Sequence, residues 1–268
     1  MEDSITGTIS VSQKSADNVS QYFQTRGVDK NDSVLVHTDA SGVMFAPSYR
    51  YVNELLASIT QHGALSILEL GCGCGEDSIL LSGEGNDVYA VDSDEQRVAT
   101  ARDNIRNAGK AKQMSVYQMD AGSLDFADNS FDLVYANSFL LWVDREVVLG
   151  ECRRVVKPGG TLLFVHESME GNPISNVYRL AGFRKTREAI VDRPTPRELT
   201  KLGAPFSALR AQYFYLLSPL LYPLIKRFPT SRLIRNLCAF VQGIDAFLLR
   251  RLPSLCRFAW IGVLQYTK

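Results

Sequence analysis

The chain has no long apolar run and no excess of either charge. Its longest uncharged stretch towards the carboxyl end is the 15 residues between Arg210 and Lys226, which contain two prolines and are too short to cross a bilayer as a helix. The 268 residues include 29 basic and 29 acidic side chains, and this balance disfavours a nucleic-acid partner. The first ten residues, MEDSITGTIS, lack the layout of a signal peptide, so the sequence predicts a cytoplasmic location.

Cysteine and histidine are also scarce. Five cysteines, an odd number without regular spacing, predict reduced thiols rather than a disulfide framework. Cys72 and Cys74 have the spacing of a metal-binding pair, but no second pair or histidine cluster completes four ligands, so we predict small loop residues and no metal site. Only three histidines are available as an imidazole base.

The most informative segment is ILELGCGCG, residues 67–75. An apolar run containing Glu69 leads into three alternate glycines, which is typical of a buried strand that enters a tight turn before a helix. The glycines allow a ligand close to the backbone, and the amides of the next helix can meet a carboxylate or phosphate. A dinucleotide fingerprint would require glycine where Glu76 stands, so a nicotinamide-dependent dehydrogenase is the weaker alternative.

The segment ELGCGCGEDS resembles motif I of the class I S-adenosylmethionine-dependent methyltransferases, which has an acid, one residue and then G-x-G-x-G. The segments that follow are similar to the family in the same order. They are the strand NDVYAVDSD, the helix 95–107, the strand QMSVYQMD, the strand and loop FDLVYANSFLLWV, and the helix, turn and strand RRVVKPGGTLLFVHES. The resemblance covers residues 65–167 and implies S-adenosylmethionine as the cofactor.

The resemblance also implies roles for individual residues. In the family, the acid at the position of Glu69 helps to orient the cofactor's ammonium group, and the acid at Asp92 accepts both ribose hydroxyls. Asp120 and Ala121 occupy the adenine-contacting position, and Asn137 lies beneath the methionine arm. Taken alone, Asp92 and Asp120 are equally well explained as helix-capping acids. The predicted cofactor-binding set is Glu69, Gly71, Cys72, Gly73, Gly75, Asp92, Ser93, Asp120, Ala121 and Asn137.

The alternation of strand and helix patterns predicts an α/β fold with a Rossmann-like, doubly wound and mostly parallel sheet of about seven strands. The resemblance implies that the last two strands add a C-terminal antiparallel hairpin. We predict one domain over residues 1–268. Its parts are an N-terminal helical cover (1–60), the cofactor-binding core (65–167), a substrate-side region with a helical insertion (168–258) and the last strand (259–268).

The predicted positions of three residues in the fold make them candidate catalytic groups. His166 stands beside Glu167 at the end of the predicted fifth strand, and both are candidate bases, although a structural histidine is an equally good explanation. His37 is a third candidate, from the N-terminal cover. Small-molecule members of the family often carry a histidine after the fourth strand. In this sequence Leu141 and Trp142 occupy that loop. The histidine base of those members therefore has no counterpart here, and the pocket is expected to be more apolar than theirs.

The predicted substrate contacts are aromatic and basic. Arginines after the fifth strand can clamp a carboxylate or phosphate, or can be solvated loop charges. The tyrosines can line the pocket from above, or can pack as helix aromatics. The predicted substrate-contacting residues are Tyr22, Tyr49, Trp142, Arg179 and Arg184.

The insertion before the last strand is basic and amphipathic. Residues 179–257 hold 15 basic and 4 acidic side chains, which leaves 14 basic and 25 acidic elsewhere. Apolar residues at helical spacing indicate a helix with one face that must be buried. That face can pack on the sheet edge as a cap. Alternatively, residues 219–252 can contact a membrane surface, a lipid-like substrate or a second copy. Those apolar residues are Leu233, Ile234, Leu237, Val241, Ile244 and Leu248.

Taken together, the sequence predicts a methyltransferase that moves a methyl group from S-adenosylmethionine to a small, apolar or amphiphilic acceptor at oxygen. One alternative is N- or C-methylation of a lipid-like, quinone-type or prenyl-type acceptor at a membrane surface. Another is a protein of the same fold that binds the cofactor without transferring its methyl group. The expected partner is a small-molecule acceptor, with no nucleic acid. A membrane-surface or lipid-like contact through residues 219–252 and a homodimer are left open.

Overall fold

The computed structural model of the chain describes residues 40–61, 63–180 and 193–268. In these ranges, helices alternate with the strands of a seven-stranded sheet. The helices are α1 (Ala40–Thr60), α2 (Glu76–Leu81), α3 (Glu95–Asn107), α4 (Arg145–Val155), α5 (Pro173–Leu180), α6 (Pro196–Leu202), α7 (Tyr222–Arg227) and α8 (Arg232–Arg251). The strands are β1 (Ser66–Leu70), β2 (Asp87–Asp92), β3 (Met114–Gln118), β4 (Phe131–Asn137), β5 (Val156–Ser168), β6 (Ala208–Phe214) and β7 (Ile261–Thr267).

The strand order across the sheet is β3-β2-β1-β4-β5-β7-β6. Strands β1 to β5 are parallel, and β7 lies between β5 and β6, antiparallel to both. The predicted fold class is therefore confirmed, including the antiparallel hairpin at the carboxyl end. The order reverses between β1 and β4, and in open α/β sheets ligands bind at such a switch point, beyond the carboxyl ends of the strands.

The central strands β1 and β4 are buried on both faces, which explains their largely apolar sequences. Leu68 of β1 packs on one face in a cluster with Leu149 of α4. Ile67, the preceding residue, points to the other face and joins a cluster with Val52 of α1 and Val98 of α3. Helices thus cover both sides of the sheet, and this packing fixes the strand ends that form the site.

The helical insertion packs at the β6 end of the sheet, as the cap prediction requires, but its buried face differs from the predicted one. Cys238 and Leu249 of α8 are buried, and Cys238 packs with Met44 of α1 in a third cluster. Of the six predicted apolar residues, Ile234, Val241 and Leu248 are half-buried, whereas Leu233, Leu237 and Ile244 are exposed. The six therefore do not form one face packed on the sheet edge, because apolar residues occur on two sides of α8.

The sequence TPRE, residues 195–198, predicts a capping box at a helix start, and the structure confirms it. Thr195 and Glu198 form the capping box at the start of α6, with a proline at the first helical position. The sequence pattern also predicts a strand from about Ala208 to Leu216; in the structure this strand ends two residues earlier, at Phe214. None of the helices in the described ranges is long and apolar enough to cross a membrane.

Candidate functional site

A cavity of about 810 Å³ lies beyond the carboxyl ends of β1 to β4. Its volume is in the range of small-molecule sites. Six of the ten predicted cofactor-binding residues line it, although they come from four different strand ends. These six are Gly71, Asp92, Ser93, Asp120, Ala121 and Asn137.

Gly71 lies where the chain leaves β1, and two constraints require glycine there. Its φ is +66°, a conformation that residues with a side chain rarely adopt. A Cβ atom at this position would lie 2.6 Å from the ring of Phe139, which packs directly on the loop. Phe139 also lines the cavity and was not predicted. The glycine loop and the loop after β4 therefore form one wall of the site.

Asp92, at the end of β2, is buried and held by the backbone. One carboxylate oxygen accepts a hydrogen bond from the Gly73 amide and the other from the Asp94 amide, both at 2.9 Å. The acid that caps α3 is Asp94, which accepts from the amides of Gln96 and Arg97. Asp92 is thus not the helix cap, and its carboxylate faces the cavity in a fixed orientation. Each of its oxygens retains a lone pair for a ligand hydroxyl.

Hydrogen bonds fix the side chains of Asp120 and Asn137. Asp120 Oδ1 accepts from the Gly122 amide at 2.7 Å and forms a turn rather than a helix cap. Asn137 donates from Nδ2 to Asp77 Oδ2 at 2.7 Å, and the hydroxyl of Tyr135 donates to the same oxygen at 3.2 Å. Asp77 lies on α2, and nothing in the sequence pattern distinguished it from an ordinary acid in the first turn of a helix.

The other four predicted cofactor-binding residues are not among those that line the cavity, and they belong to the glycine loop or to the end of β1. Glu69 is buried and accepts a hydrogen bond from the Ser78 hydroxyl. Burial, followed by the nearby Asp77 carboxylate, raises the pKa of Glu69 well above its usual range. Cys72 is buried in the core, and burial raises the pKa of its thiol, so it is a small packing residue. Gly73 bonds to Asp92, and Gly75 precedes α2 with a φ of +84°.

His166 is buried and has a left-handed backbone, with a φ of +52°. It lies where the pairing of β5 with β7 shifts register, between Phe164 and Glu167. Its ring contacts that of Tyr49 from α1, with 4.2 Å between the centroids and an angle of 49° between the ring planes. The structure thus brings together two predicted site residues from distant parts of the chain. Left-handed backbone at a non-glycine residue is costly and is concentrated at functional sites.

Glu167 is completely buried, and both of its carboxylate oxygens are engaged. They accept from the amides of Phe139 at 2.9 Å and Leu140 at 3.1 Å. Burial raises the pKa of Glu167 to about 8, against the opposing effects of these two amides and of Arg145. The side chain therefore holds the loop after β4 instead of pointing at an acceptor, which makes Glu167 a positioning residue for Phe139.

The remaining predicted residues are only partly covered by the structure. Trp142 lines the cavity with an exposed side chain. Arg179 lies in α5, but its side chain is outside the described part of the structure. His37, Tyr22 and Arg184 lie outside the described residues.

Comparison with known proteins identifies the family. A family model described as "Methyltransferase domain" matches residues 68–164. The ubiquinone/menaquinone biosynthesis C-methyltransferase UbiE of Klebsiella pneumoniae is 32% identical over 180 residues, which cover 60% of this chain and 70% of that protein. The chain belongs to the class I S-adenosylmethionine-dependent methyltransferases. The UbiE protein of Haemophilus ducreyi is 35% identical over 122 residues, 44% of this chain and 47% of that protein.

The sequence similarity to these relatives extends over only part of their length. The chain spans about half the length of several curated relatives that it matches. The YcgJ protein of Bacillus subtilis has a similar fold, with a TM-score of 0.54 and 17% identity over 82% of this chain and 98% of that one. The cofactor of the family is S-adenosylmethionine. The cavity suits this cofactor in volume, in its fixed Asp92 carboxylate and in the space left by Gly71.

Proposed function

We propose that this chain transfers a methyl group from S-adenosylmethionine to a small, apolar or amphiphilic acceptor, at oxygen. The observation that carries the proposal is the composition of the cavity wall. A fixed carboxylate, Asp92, suits a ribose, while Phe139 and Trp142 give the side towards the loop after β4 an apolar character. A cavity with both features suits a nucleoside-type donor together with an apolar acceptor.

The resemblance to the family assigns roles to four residues that line the cavity. Asp92 accepts the ribose hydroxyls, Asp120 and Ala121 contact the adenine, and Asn137 lies by the methionine arm. When bound, the cofactor supplies a methyl group that is already activated on a sulfonium. The protein then has to exclude water and align the acceptor, and such positioning can account for much of the lowering of the barrier.

His166 is the candidate base for an acceptor hydroxyl. An oxygen acceptor must lose its proton, and a ring nitrogen of His166 can accept it. The ring of Tyr49 packs against the imidazole at an angle of 49°. Glu167 acts indirectly, because its carboxylate holds Phe139 against the glycine loop. His37 stays a candidate from the N-terminal cover, and Tyr22, Arg179 and Arg184 stay candidate substrate contacts.

Methylation at carbon is the second candidate. The relatives from Klebsiella pneumoniae and Haemophilus ducreyi are named C-methyltransferases of ubiquinone and menaquinone biosynthesis. A quinone-type acceptor with an apolar tail is also compatible with the exposed apolar residues of α8. A cytoplasmic location and a homodimer stay predictions.

The test is to measure S-adenosylhomocysteine release by mass spectrometry. The purified full chain is incubated with S-adenosylmethionine and a panel of hydroxylated aromatics, carboxylic acids and quinols. We expect release with at least one class, loss of release in Asp92→Asn, and no change in Asp125→Asn, an exposed control. NMR of the product then distinguishes a methyl on oxygen from one on carbon. Cofactor binding without release from the panel or from cell extract would favour a binding protein and contradict the proposal.

A further inference from the structure

Helix α8 presents a row of large apolar side chains to solvent, here called the apolar stripe. It consists of Leu233, Leu237, Phe240, Ile244 and Phe247. Leu233 is 78% exposed, Phe240 67% and Phe247 53%. The spacing of four and three residues places all five on one side of the helix, along about 21 Å of its axis. Soluble monomers rarely expose a contiguous apolar surface of this kind without a use for it.

The apolar stripe is not the side of α8 that packs on the core. Cys238, Asp245 and Leu249 are buried, and their spacing places them on the opposite side of the helix. Asp245 accepts hydrogen bonds from the amides of Leu216, Leu217 and Ser218, which anchors α8 to the segment after β6. The orientation of the helix is thus fixed, and none of the described elements covers the stripe.

The charges around the apolar stripe have one sign. Residues 219–258 contain seven basic side chains and a single acid, Asp245, which is buried against backbone amides. All seven basic residues are exposed; they are Lys226, Arg227, Arg232, Arg235, Arg250, Arg251 and Arg257. An apolar surface bordered by exposed cations, with no exposed anion among residues 219–258, complements an anionic partner with an apolar interior.

Arginine and aromatic side chains meet at three places in this segment. The guanidinium of Arg251 lies over the ring of Phe247, that of Arg227 over Phe228, and that of Arg257 over Phe258, at 4.6 to 5.8 Å from the centroids. Each pair places a cation directly beside an apolar group. At a lipid surface, such a pair can bury the ring among acyl chains while the guanidinium stays at the phosphates.

We infer that the apolar stripe docks the protein on an anionic membrane surface. A second copy of the chain suits this surface less well, because a two-fold axis would bring the basic ends of α8 together in either direction. A nucleic acid would pair with the arginines but would leave the leucines and phenylalanines without an apolar partner. The acidic lipid headgroups match the arginines, and the acyl region matches the stripe.

The inference can be tested by flotation of the full-length chain with vesicles of phosphatidylcholine alone or with 30% phosphatidylglycerol. We expect flotation with the anionic vesicles and at least about a fivefold smaller bound fraction with neutral vesicles or in about 0.5 M salt. Phe240→Ser/Phe247→Ser and Arg232→Glu/Arg251→Glu should each reduce binding about tenfold. Circular dichroism confirms that each variant is folded.

Matched substitutions elsewhere provide the controls. Tyr117→Ser/Val177→Ser removes exposed apolar side chains outside α8, and Lys112→Glu/Lys201→Glu reverses two exposed charges outside the segment 219–258. Both should bind like the wild type. Full recovery in the soluble fraction with anionic vesicles would overturn the inference. So would equal losses in stripe and control variants, or a dimer in sedimentation that only the stripe variants disrupt. Methyl transfer to soluble acceptors is measured separately, so the two proposals can fail independently.

Discussion

The buried carboxyl of Glu167 links the loop after β4 to the pH of the solution. Its pKa rises from 4.5 to about 8 in the folded chain. The folded state therefore binds this proton more tightly than the unfolded state does. The contribution to stability is complete below about pH 4.5 and is lost as the pH rises to about 8, at no more than ~1.4 kcal/mol per pH unit.

Glu167→Gln should remove this pH dependence. We expect the free energy of unfolding of the wild type to fall between pH 5 and pH 8, and the variant to show a shallower slope, in urea titrations at three pH values. The raised pKa of buried Glu69 also makes the free energy of unfolding fall with pH, and it does so equally in the wild type and in Glu167→Gln. Glu170→Gln, an exposed neighbour, is the control. Equal slopes in Glu167→Gln and the wild type would contradict the assignment.

His166 makes a separable prediction about catalysis. As the base for an oxygen acceptor, it should contribute to kcat and not to cofactor affinity, because it is not among the residues that line the described cavity wall. His166→Asn should lower kcat about 10²- to 10⁴-fold with an unchanged Kd for S-adenosylhomocysteine. Steady-state assays and calorimetry measure the two quantities. Wild-type kcat in His166→Asn would show that the histidine is structural.

The contact between the loop after β1 and the loop after β4 depends on Gly71. An alanine at position 71 would have to adopt a positive φ, and its Cβ would clash with the ring of Phe139. Gly85 has a similar φ of +85°, but there is open space where a Cβ would lie. Gly71→Ala and Gly85→Ala should each cost about 1–2 kcal/mol in backbone strain. Only Gly71→Ala should also weaken S-adenosylhomocysteine binding, by at least about tenfold, because the ring contact displaces the cavity wall.

A double variant separates the ring contact from the strain. Gly71→Ala/Phe139→Ala removes the clashing ring, so we expect it to bind the cofactor more tightly than Gly71→Ala does, by calorimetry. Affinity in the double variant that is no better than in Gly71→Ala would mean that backbone strain alone disrupts the site.

At the scale of elements, the sequence predicts what is encoded locally. The glycine loop, the acid at the end of β2 and the capping box at Thr195 are short patterns with a direct backbone cause. The buried side of α8 was not predictable in this way. Its two apolar rows both have helical spacing, and what selects the buried row is a tertiary contact, from Asp245 to the amides of residues 216–218.

At the scale of the whole molecule, contacts between distant parts of the chain also limit what the sequence predicts about the site. That six of the predicted cofactor-binding residues line one cavity could be foreseen, because parallel strands bring their carboxyl ends to one edge of the sheet. Asp77 and Phe139 were missed because each acts through a partner 60 or more residues away, Asn137 in one case and Gly71 in the other. The role of Glu167 depends on burial, which its position at a strand end did not reveal.

The charge of the cavity wall predicts which nucleotide the protein binds. Four aspartates and one arginine are among the described lining residues; they are Asp92, Asp94, Asp120, Asp144 and Arg97. A wall with this excess of carboxylates repels the pyrophosphate of NAD and attracts the sulfonium and ammonium of S-adenosylmethionine. The nicotinamide alternative is thus disfavoured by the electrostatics of the site as well as by the glycine spacing.

Thermal unfolding with each ligand tests this charge argument on the intact protein. A ligand present at 100 times its Kd stabilises the folded state by about 2.7 kcal/mol. S-adenosylmethionine and S-adenosylhomocysteine should therefore raise Tm by several degrees, while NAD at the same concentration should not. The shift should be larger for the cationic S-adenosylmethionine in low salt, and this advantage should shrink as salt screens the wall. Asp92→Asn should reduce both shifts and Asp125→Asn neither. A shift with NAD alone would place the protein among dinucleotide-binding enzymes instead.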